Sequence, residues 1–409
     1  MRSSPPPEVW ITGIGVLSAY GVGAEVLAAG LRAGRGATMP PRAHEAGDLP
    51  VPLVAPFPGE VSFPPGFAGD RRAALLLSAA AQLPSLEADG RGCCVSLGTG
   101  LSSVTVEELE DDLYPHLVEA RFDRRSLAAQ LQARAGAPMR HLPARAARAL
   151  AGGIGAEGPV NTSFSACAAG AQAIAVAMDM LRRGEASRAV AGGYDAMIHP
   201  LGLLSFLLLD TLASEACRPF DLDRDGFVLG EGAALFLLET PEAARAAGRG
   251  PRARLLGAGT SIDAHAVTAP HPEGDGARLA MLRALEDAAI PAEAVDQVNA
   301  HGTGTPVGDR AEALAVHAVL PQETPVCSLK GALGHTIAAA GAMELAATVA
   351  AMEAGFAPGT IACRRPDPAC PVHVQLDPSE GAPGIVLSNS IGFGGQNASL
   401  IVAHPDWQR

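Results

Sequence analysis

The chain has 409 residues, 48% hydrophobic, 18% charged and only 4% aromatic, with a formal net charge of -13. That length suits two core-bearing domains or one large duplicated domain, and the acidic balance argues against nucleic acid as a main partner, because phosphate binding needs clustered Lys and Arg. Seven scattered cysteines with no secretory signal point to a reducing cytoplasm rather than a disulfide framework, and neither Cys93–Cys94 nor Cys363 with Cys370 has the paired spacing of a zinc site.

Residues 1–8, beginning MRSSPPP, read as a flexible tail without the apolar core of a signal peptide. VWITGIGVLS opens with a buried strand over 9–14, and a helix over 21–31 follows, ending at Gly34. Proline and glycine dominate 39–69, which predicts an irregular covering loop. CCVSLGTG at 93–100 is a strand entering a Gly-rich turn, and RAVAGGYDAM at 188–197 repeats that pattern. LGLLSFLLLDTLA at 201–213 is too short to span a bilayer and contains Asp210; it predicts a buried helix, under an oligomer interface or beside an apolar pocket. GFVLGEGAALFLLET at 226–240 suggests paired strands. Strands alternating with helices imply an α/β protein with buried sheets.

NTSFSACAAGAQAIAVAMDMLRRG at 161–184 turns from a strand-compatible run into a helical one, with Ala171, Ile174, Ala175, Met178 and Leu181 at helical spacing and Gly184 as the stop. Cys167 stands at that turn. Unpaired N–H groups and the helix dipole favour a thiolate there, and Ala168, Ala169 and Gly170 leave room for a substrate. The alternative is a buried cysteine acting as a small hydrophobe. The same pattern returns without gaps at 338–355, AAAGAMELAATVAAMEAG, where only the first copy carries a thiol. That echo points to a duplicated fold with a site at its pseudo-symmetric centre.

Three further stretches carry side chains that complement a thiolate. NAHGTGTPVGD at 299–309 puts His301 at a strand end. SLKGALGHTIAAAGAMEL at 328–345 places Lys330 and His335 ahead of the second Ala-rich helix and Glu344 inside it. SNSIGFGGQNASLIV at 388–402 sets Phe393 between glycines. Each alone has an ordinary reading: a hydrogen-bonded structural His, a solvated Lys, a hairpin turn. Together, a Cys at a helix start and two neutral imidazoles could form an acyl-thioester and hold the charge of an enolate.

With SACAAGA, CRPFDLDRDGFVLGEGA at 217–233 and DAHAVTAPHPEG at 263–274, these motifs give a chain that resembles a β-ketoacyl-acyl carrier protein synthase of the type I/II elongating kind, in the thiolase superfamily, from Val9 to His404. The resemblance implies a thiolase-like fold of two pseudo-duplicated halves, 9–245 with the nucleophile and cap insertions and 246–409 with the two His, in a layered αβαβα architecture. It implies a cytoplasmic homodimer, with no intrinsic cofactor and no membrane contact; phosphopantetheine arrives on an acyl carrier protein. Cys167 takes the acyl group, the N–H groups of Cys167 and Phe393 form the oxyanion hole, and Phe393 is also a gate. His301 and His335 bind the malonyl thioester. Lys330 orients His335, with Glu344 in the same network. Thr303 and Thr305 hold the phosphopantetheine arm, and Asn299, Glu344, Ser388 and Asn389 match positions that surround a monovalent cation in some relatives.

The chain departs from the family at LASEAC, 212–217, which is several residues short and lacks an Arg that often helps dock the carrier protein. Arg71 with Arg72, and Arg124 with Arg125, are the candidate docking groups instead. Ile391 stands where many relatives have Phe. A thiolase would use a second cysteine as base, and the SIGFGG turn has none. A non-catalytic chain-length subunit would be expected to lack Cys167, though a heterodimer that needs such a partner for activity stays open.

Overall fold

The computed structural model describes residues 6–86, 92–100, 114–119, 121–133 and 142–408; most of the expected tail, residues 1–5, lies outside them. Besides the two-residue strands Gly21–Val22 and Val54–Ala55, the first half of the chain supplies five strands of one sheet: β1 (Val9–Ser18), β2 (Cys93–Thr99), β3 (Val160–Ser163), β4 (Arg188–Ala196) and β5 (Leu229–Glu239). The second half supplies β6 (Ala253–Ile262), β7 (Gln297–Asn299), β8 (Pro325–Cys327), β9 (His373–Val374), β10 (Ile385–Gly392) and β11 (Gln396–Ala403). They hydrogen-bond in the order β9-β8-β7-β10-β11-β6-β1-β5-β4-β2-β3.

Apart from β9, an extra edge, that order is a palindrome. Strands β3, β2 and β4 pair in parallel and β4, β5 and β1 antiparallel. In the other half β8, β7 and β10 pair in parallel and β10, β11 and β6 antiparallel. The halves join through a short pairing of Val9, Trp10 and Ile11 with Leu255, Arg254 and Ala253. Every residue of β1, β2, β4 and β5 is buried, which is why these strands read as unbroken apolar runs rather than alternating ones.

Four helices matter for the site: α1 (Ala169–Arg182), α2 (Pro200–Leu208), α3 (Pro306–Val319) and α4 (Ala340–Ala354). Helices α1 and α4 each touch strands of both halves and each other, so they form the middle layer. The helices Arg71–Ala80 and Ala144–Gly153 cover the outer face of the first half, and Asp275–Ala288, with α3 beside it, covers that of the second. This is the αβαβα sandwich. Where α1 and α4 cross, a Cβ added to Gly170 would lie 3.2 Å from the Ala342 Cβ, and one added to Gly341 would lie 2.8 Å from the Ala171 Cβ. Gly170 is small because two helices meet there, and not to admit a substrate as its place beside Cys167 suggests.

Other local expectations shift. The first helix runs over Ala24–Arg32. The segment 226–240 holds one strand, β5, which pairs on both sides with β1 and β4, rather than a hairpin. Helix α2 buries only Gly202, Leu203 and Phe206, while Leu208 is 77% exposed; the apolar run is a half-exposed helix at a cavity, not a buried one. Among the described residues the helical stretch long and apolar enough to cross a membrane is 337–354, and it is packed inside the protein between the two halves of the sheet.

Candidate active site

Strand β3 ends at Ser163, and three residues later Ala166 adopts φ 47°, a left-handed conformation unusual for a residue with a Cβ. Cys167 sits in the middle of the single 3-10 turn Ala166–Ala168 that runs into α1. The internal repeat has the same shape: Ile337 adopts φ 48° as the first residue of the turn Ile337–Ala339, which runs into α4. Each of these elbows lifts its second residue toward the middle of the molecule.

Cys167 is buried, 5% exposed. His335 Nε2 lies 3.2 Å from Sγ, and the Phe393 backbone N–H also donates to it. Burial pushes the thiol up to about 12, although the Lys330 charge and the Phe393 N–H pull it down. The sequence reading expected a depressed value from the helix start alone. At so buried a sulfur the cost of desolvating a thiolate exceeds the help from a few N–H groups.

Both imidazoles are fixed from behind. His301 follows β7, and Glu312 of α3 accepts from the backbone N–H groups of His301 and Gly302, both at 2.8 Å. His335 follows the one-turn helix Lys330–Leu333 and Gly334; its backbone N–H donates to Val228 O at 2.7 Å. The two rings stand edge to face, 5.2 Å apart, and Phe227 packs on His335 at 5.0 Å. Burial holds both imidazoles well below their ordinary value, assisted by the Lys330 charge, so both are neutral.

Lys330 contacts His301, not His335. Its three N–H groups meet three acceptors: His301 Nδ1 at 3.2 Å, the His301 carbonyl and Glu344 Oε1. The expected orienting contact with His335 is not made, because Lys330 opens its helix beside the end of β7 and its side chain crosses to that strand; its charge still acts on His335. His335 is pinned by a different donor, the backbone N–H of Ile337, 3.2 Å from Nδ1. In both rings, then, Nδ1 accepts and Nε2 carries the proton. A metal-bound histidine typically does the reverse, donating through its outer nitrogen. One ring nitrogen from each His and the sulfur all lie within 4.8 Å of one another, and the tautomers suit this cluster to hydrogen-bond donation rather than to metal ligation.

Comparison with known proteins decides the family. Residues 70–244 match the model of the beta-ketoacyl synthase N-terminal domain, and 252–364 that of the C-terminal domain. The 3-oxoacyl-[acyl-carrier-protein] synthase 2 of Mycobacterium tuberculosis is 38% identical over 328 residues, covering 77% of this chain and 75% of that protein.

The chain belongs to the β-ketoacyl synthase family.

It is an enzyme of the acyltransferase class. Among solved structures, a beta-ketoacyl synthase from Burkholderia phymatum matches with a TM-score of 0.81 at 29% identity, covering 97% of this chain and 99% of that one. The ishigamide ketosynthase/chain length factor matches at 0.82 and 30%, covering 98% and 99%.

In this β-ketoacyl synthase a cavity of about 300 Å³ reaches from Cys167, His301 and His335 to Thr303 and Thr305. Phe206, Phe227, Ile391 and Phe393 make its apolar walls. The two threonine hydroxyls lie 2.9 Å apart, and Thr305 also caps α3 by accepting from the Gly308 N–H. Beneath the cavity, Asn299 Oδ1 and Glu344 Oε2 are buried acceptors without donors among the described residues. Ser388 is buried nearby on β10, while Asn389 is already engaged, donating to Glu312 and accepting from Ser399. Two orphan oxygens are part of the donor set a monovalent cation would need; Asn389 fits that set less well.

Of the basic residues, Arg71 and Arg72 do not form a free patch. Arg71 clamps the buried carboxylate of Glu231, with Nε 2.8 Å from Oε2, and Arg72 is buried with its guanidinium on the Gly100 carbonyl. Their helix packs against β5 and β4, so Arg71 reaches Glu231 of β5 and Arg72 turns inward to the residue after β2. Arg124 and Arg125 are exposed at the start of the helix Arg124–Ala133.

Three supporting carboxylates escaped the sequence reading. Glu312 holds the His301 turn, Asp309 accepts from the Gly304 and Phe220 N–H groups, and Asp195 accepts from the Ala338 N–H. A signal existed for the first two: Asp309 and Glu312 lie three residues apart on the face of α3 that also buries Ala313 and Val316.

Proposed function

We propose that the chain condenses an acyl group carried on Cys167 with malonyl-acyl carrier protein, releasing CO2 and lengthening the chain by two carbons. The observation that carries the reading is the convergence of sulfur 167 with one nitrogen from each of His301 and His335 in one buried cavity. In the first half-reaction Sγ attacks the incoming thioester carbonyl. The S–C bond to Cys167 forms as the bond to the carrier's phosphopantetheine sulfur breaks, and the thiol proton ends on that leaving sulfur. In the second, malonyl thioester takes its place, with Thr303 and Thr305 on the arm. The C–CO2 bond breaks, and the electron pair passes onto the thioester oxygen, held by the Nε2–H groups of His301 and His335. The carbanion then attacks the acyl carbon on Cys167. The N–H groups of Cys167 and Phe393 hold the oxygen of that tetrahedral intermediate, and its collapse returns the sulfur, which regains a proton.

Neutral imidazoles suit this role, since each keeps a donor at Nε2 without a charge to desolvate. Lys330 and Glu344 act behind His301 as positioning residues. A monovalent cation, where bound, would sit on Asn299 Oδ1 and Glu344 Oε2, with Ser388 and Asn389 around it, and would supply positive charge below the His301 network. Phe393, whose N–H touches the sulfur and whose ring lines the cavity, is the gate. We also take the chain as two halves, 9–245 and 246–409, acting in the cytoplasm without a cofactor of its own.

The partner is an acyl carrier protein, met by Arg124 and Arg125. Reversing both charges raises KM for the carrier-borne substrate by a few fold, more at low salt, and leaves small thioesters unaffected. Strand β3 ends the sheet, with Val160 and Phe164 each 38% exposed; an edge of this kind fits a second copy of the chain, and the homodimer is the first reading. A chain-length partner is the second, favoured by the relatives solved as ketosynthase/chain length factor pairs. The deciding experiment incubates the chain alone with defined acyl-carrier thioesters and malonyl-carrier protein. An acyl mass on the Cys167 peptide and release of CO2 support the homodimeric enzyme. Acylation without condensation until a partner is added supports the second reading. No adduct on Cys167 with any donor defeats both.

A further inference from the structure

Asp195, at the end of β4, is fully buried, and its carboxylate is spent on backbone. Oδ2 accepts from the Ala338 N–H at 3.2 Å and Oδ1 from the Ala196 N–H at 2.9 Å. Gly100 lies against it, where an added Cβ would come 2.6 Å from Oδ2. Arg72, buried on the Gly100 carbonyl, lies on the same side as the nearby positive charge.

Ala338 is the counterpart of Cys167 in the internal repeat: each follows a left-handed residue and enters a long central helix. The N–H that the first elbow offers to a reacting oxygen is, in the second elbow, filled by a carboxylate of the chain itself. The second elbow also carries His335, and the N–H just before the one Asp195 takes, that of Ile337, occupies His335 Nδ1. Tilting the turn would move both N–H groups together.

We infer that Asp195 is a positioning residue for His335: by anchoring Ala338 it fixes the turn whose Ile337 N–H keeps the ring proton on Nε2, aimed at the sulfur. The inference rests on the donor role given to His335 above. Acylation of Cys167 does not need that donor, whereas decarboxylation does, so the two half-reactions separate under substitution.

The test compares Asp195→Ala and Asp195→Asn with the unaltered full chain. The amide of Asp195→Asn keeps one oxygen for the Ala338 N–H, and the variant loses no volume. Expected for Asp195→Ala is a fall of about 10- to 100-fold in kcat for malonyl decarboxylation and condensation. KM for the malonyl thioester and the rate of Cys167 acylation should stay within about 3-fold, and Asp195→Asn should restore most of kcat. Nitrogen NMR on 15N-histidine-labelled protein supplies the signature a merely structural role would not move: His335 shows a single Nε2–H tautomer in the unaltered chain and in Asp195→Asn, and a mixture in Asp195→Ala. Unchanged tautomer and unchanged kcat in Asp195→Ala overturn the inference. So does an equal loss in both variants, which would make the charge, rather than the anchor, the cause. Should Asp195→Ala fail to fold, Asp195→Ser, whose hydroxyl is too short to reach Ala338, is judged by the same outcomes. If His335→Ala keeps full decarboxylation, the donor role of His335 fails, while the NMR comparison still decides whether Asp195 sets the ring.

Discussion

The two elbows share a backbone and differ in what the lifted residue carries. At 166–168 the lifted residue is a cysteine whose sulfur lines the cavity; at 337–339 it is an alanine, 0% exposed, whose N–H is taken by Asp195. In the proposed reaction the first elbow mounts the nucleophile and the second brackets His335. Duplication supplied two equivalent helix starts at the centre of the sandwich, and single side chains then divided the work between them. The backbone makes the site possible in both places, and only one of them carries the thiol.

The comparison breaks most sharply if Cys167 is made like its counterpart. Cys167→Ala should remove the acyl adduct and lower condensation by on the order of 10³-fold or more, while the fold is kept, because alanine already occupies position 338 in the same backbone. Malonyl decarboxylation should survive in that variant, since His301 and His335 are untouched. The measurements are intact mass after acyl-carrier thioester and release of labelled CO2. Acylation of the variant at another residue would show that the first elbow is not the nucleophile mount.

How much of this was legible in the sequence follows from how local each feature is. The duplication showed in the ungapped echo of 167–184 at 338–355, because a buried helix crossing demands small residues at fixed phase in both copies, Gly170 and Gly341 among them. The strands showed because both their faces are buried. That Cys167, His301 and His335 act together was suggested by their chemistry, and the family resemblance gave each its role. Which imidazole Lys330 serves did not show at all: it is five residues from His335 and twenty-nine from His301, yet it reaches the latter. Separation along the chain says nothing about which strand end a side chain crosses to. The inward turn of Arg71 and Arg72 was equally hidden, since it depends on Glu231 and Gly100 arriving from remote strands. The direction of the Cys167 shift was misread because a helix start is a local feature and desolvation a global one.

A smaller effect sharpens the symmetry of the middle layer. Gly341→Ala presses a methyl against Ser390 Oγ of β10 at 2.4 Å and the Ala171 Cβ of α1 at 2.8 Å, and Gly170→Ala against the Ala338 carbonyl at 3.0 Å and the Ala342 Cβ of α4 at 3.2 Å. Overpacking of this kind costs about 1–3 kcal/mol, and Gly341→Ala should be the worse of the two. The urea midpoint of each variant reads this directly. Equal, negligible losses would mean that the helices have room to slide and that their close crossing does not demand glycine.

The mildest perturbation is pH, and it tests whether the first elbow activates its sulfur before substrate arrives. With the Cys167 thiol raised to about 12, the thiolate fraction grows tenfold per unit through pH 8 to 10. Alkylation by iodoacetamide should therefore climb without levelling, where a thiol of ordinary value bends over near pH 8.5 to 9. A plateau below pH 8 would instead reveal a resting thiolate and would put the helix-start effect ahead of burial. The folded state binds the thiol proton more tightly than the unfolded chain does, so stability is full below the unfolded value and falls as pH rises toward 12. The two histidines run the other way: held low in the fold, they favour the native state above about 6.5 and weaken it as pH falls below that value. The site is thus most secure where its groups are neutral, a thiol facing two imidazoles. The negative charge of the reaction appears only after substrate has closed the cavity, on oxygens that Nε2–H and N–H donors already face.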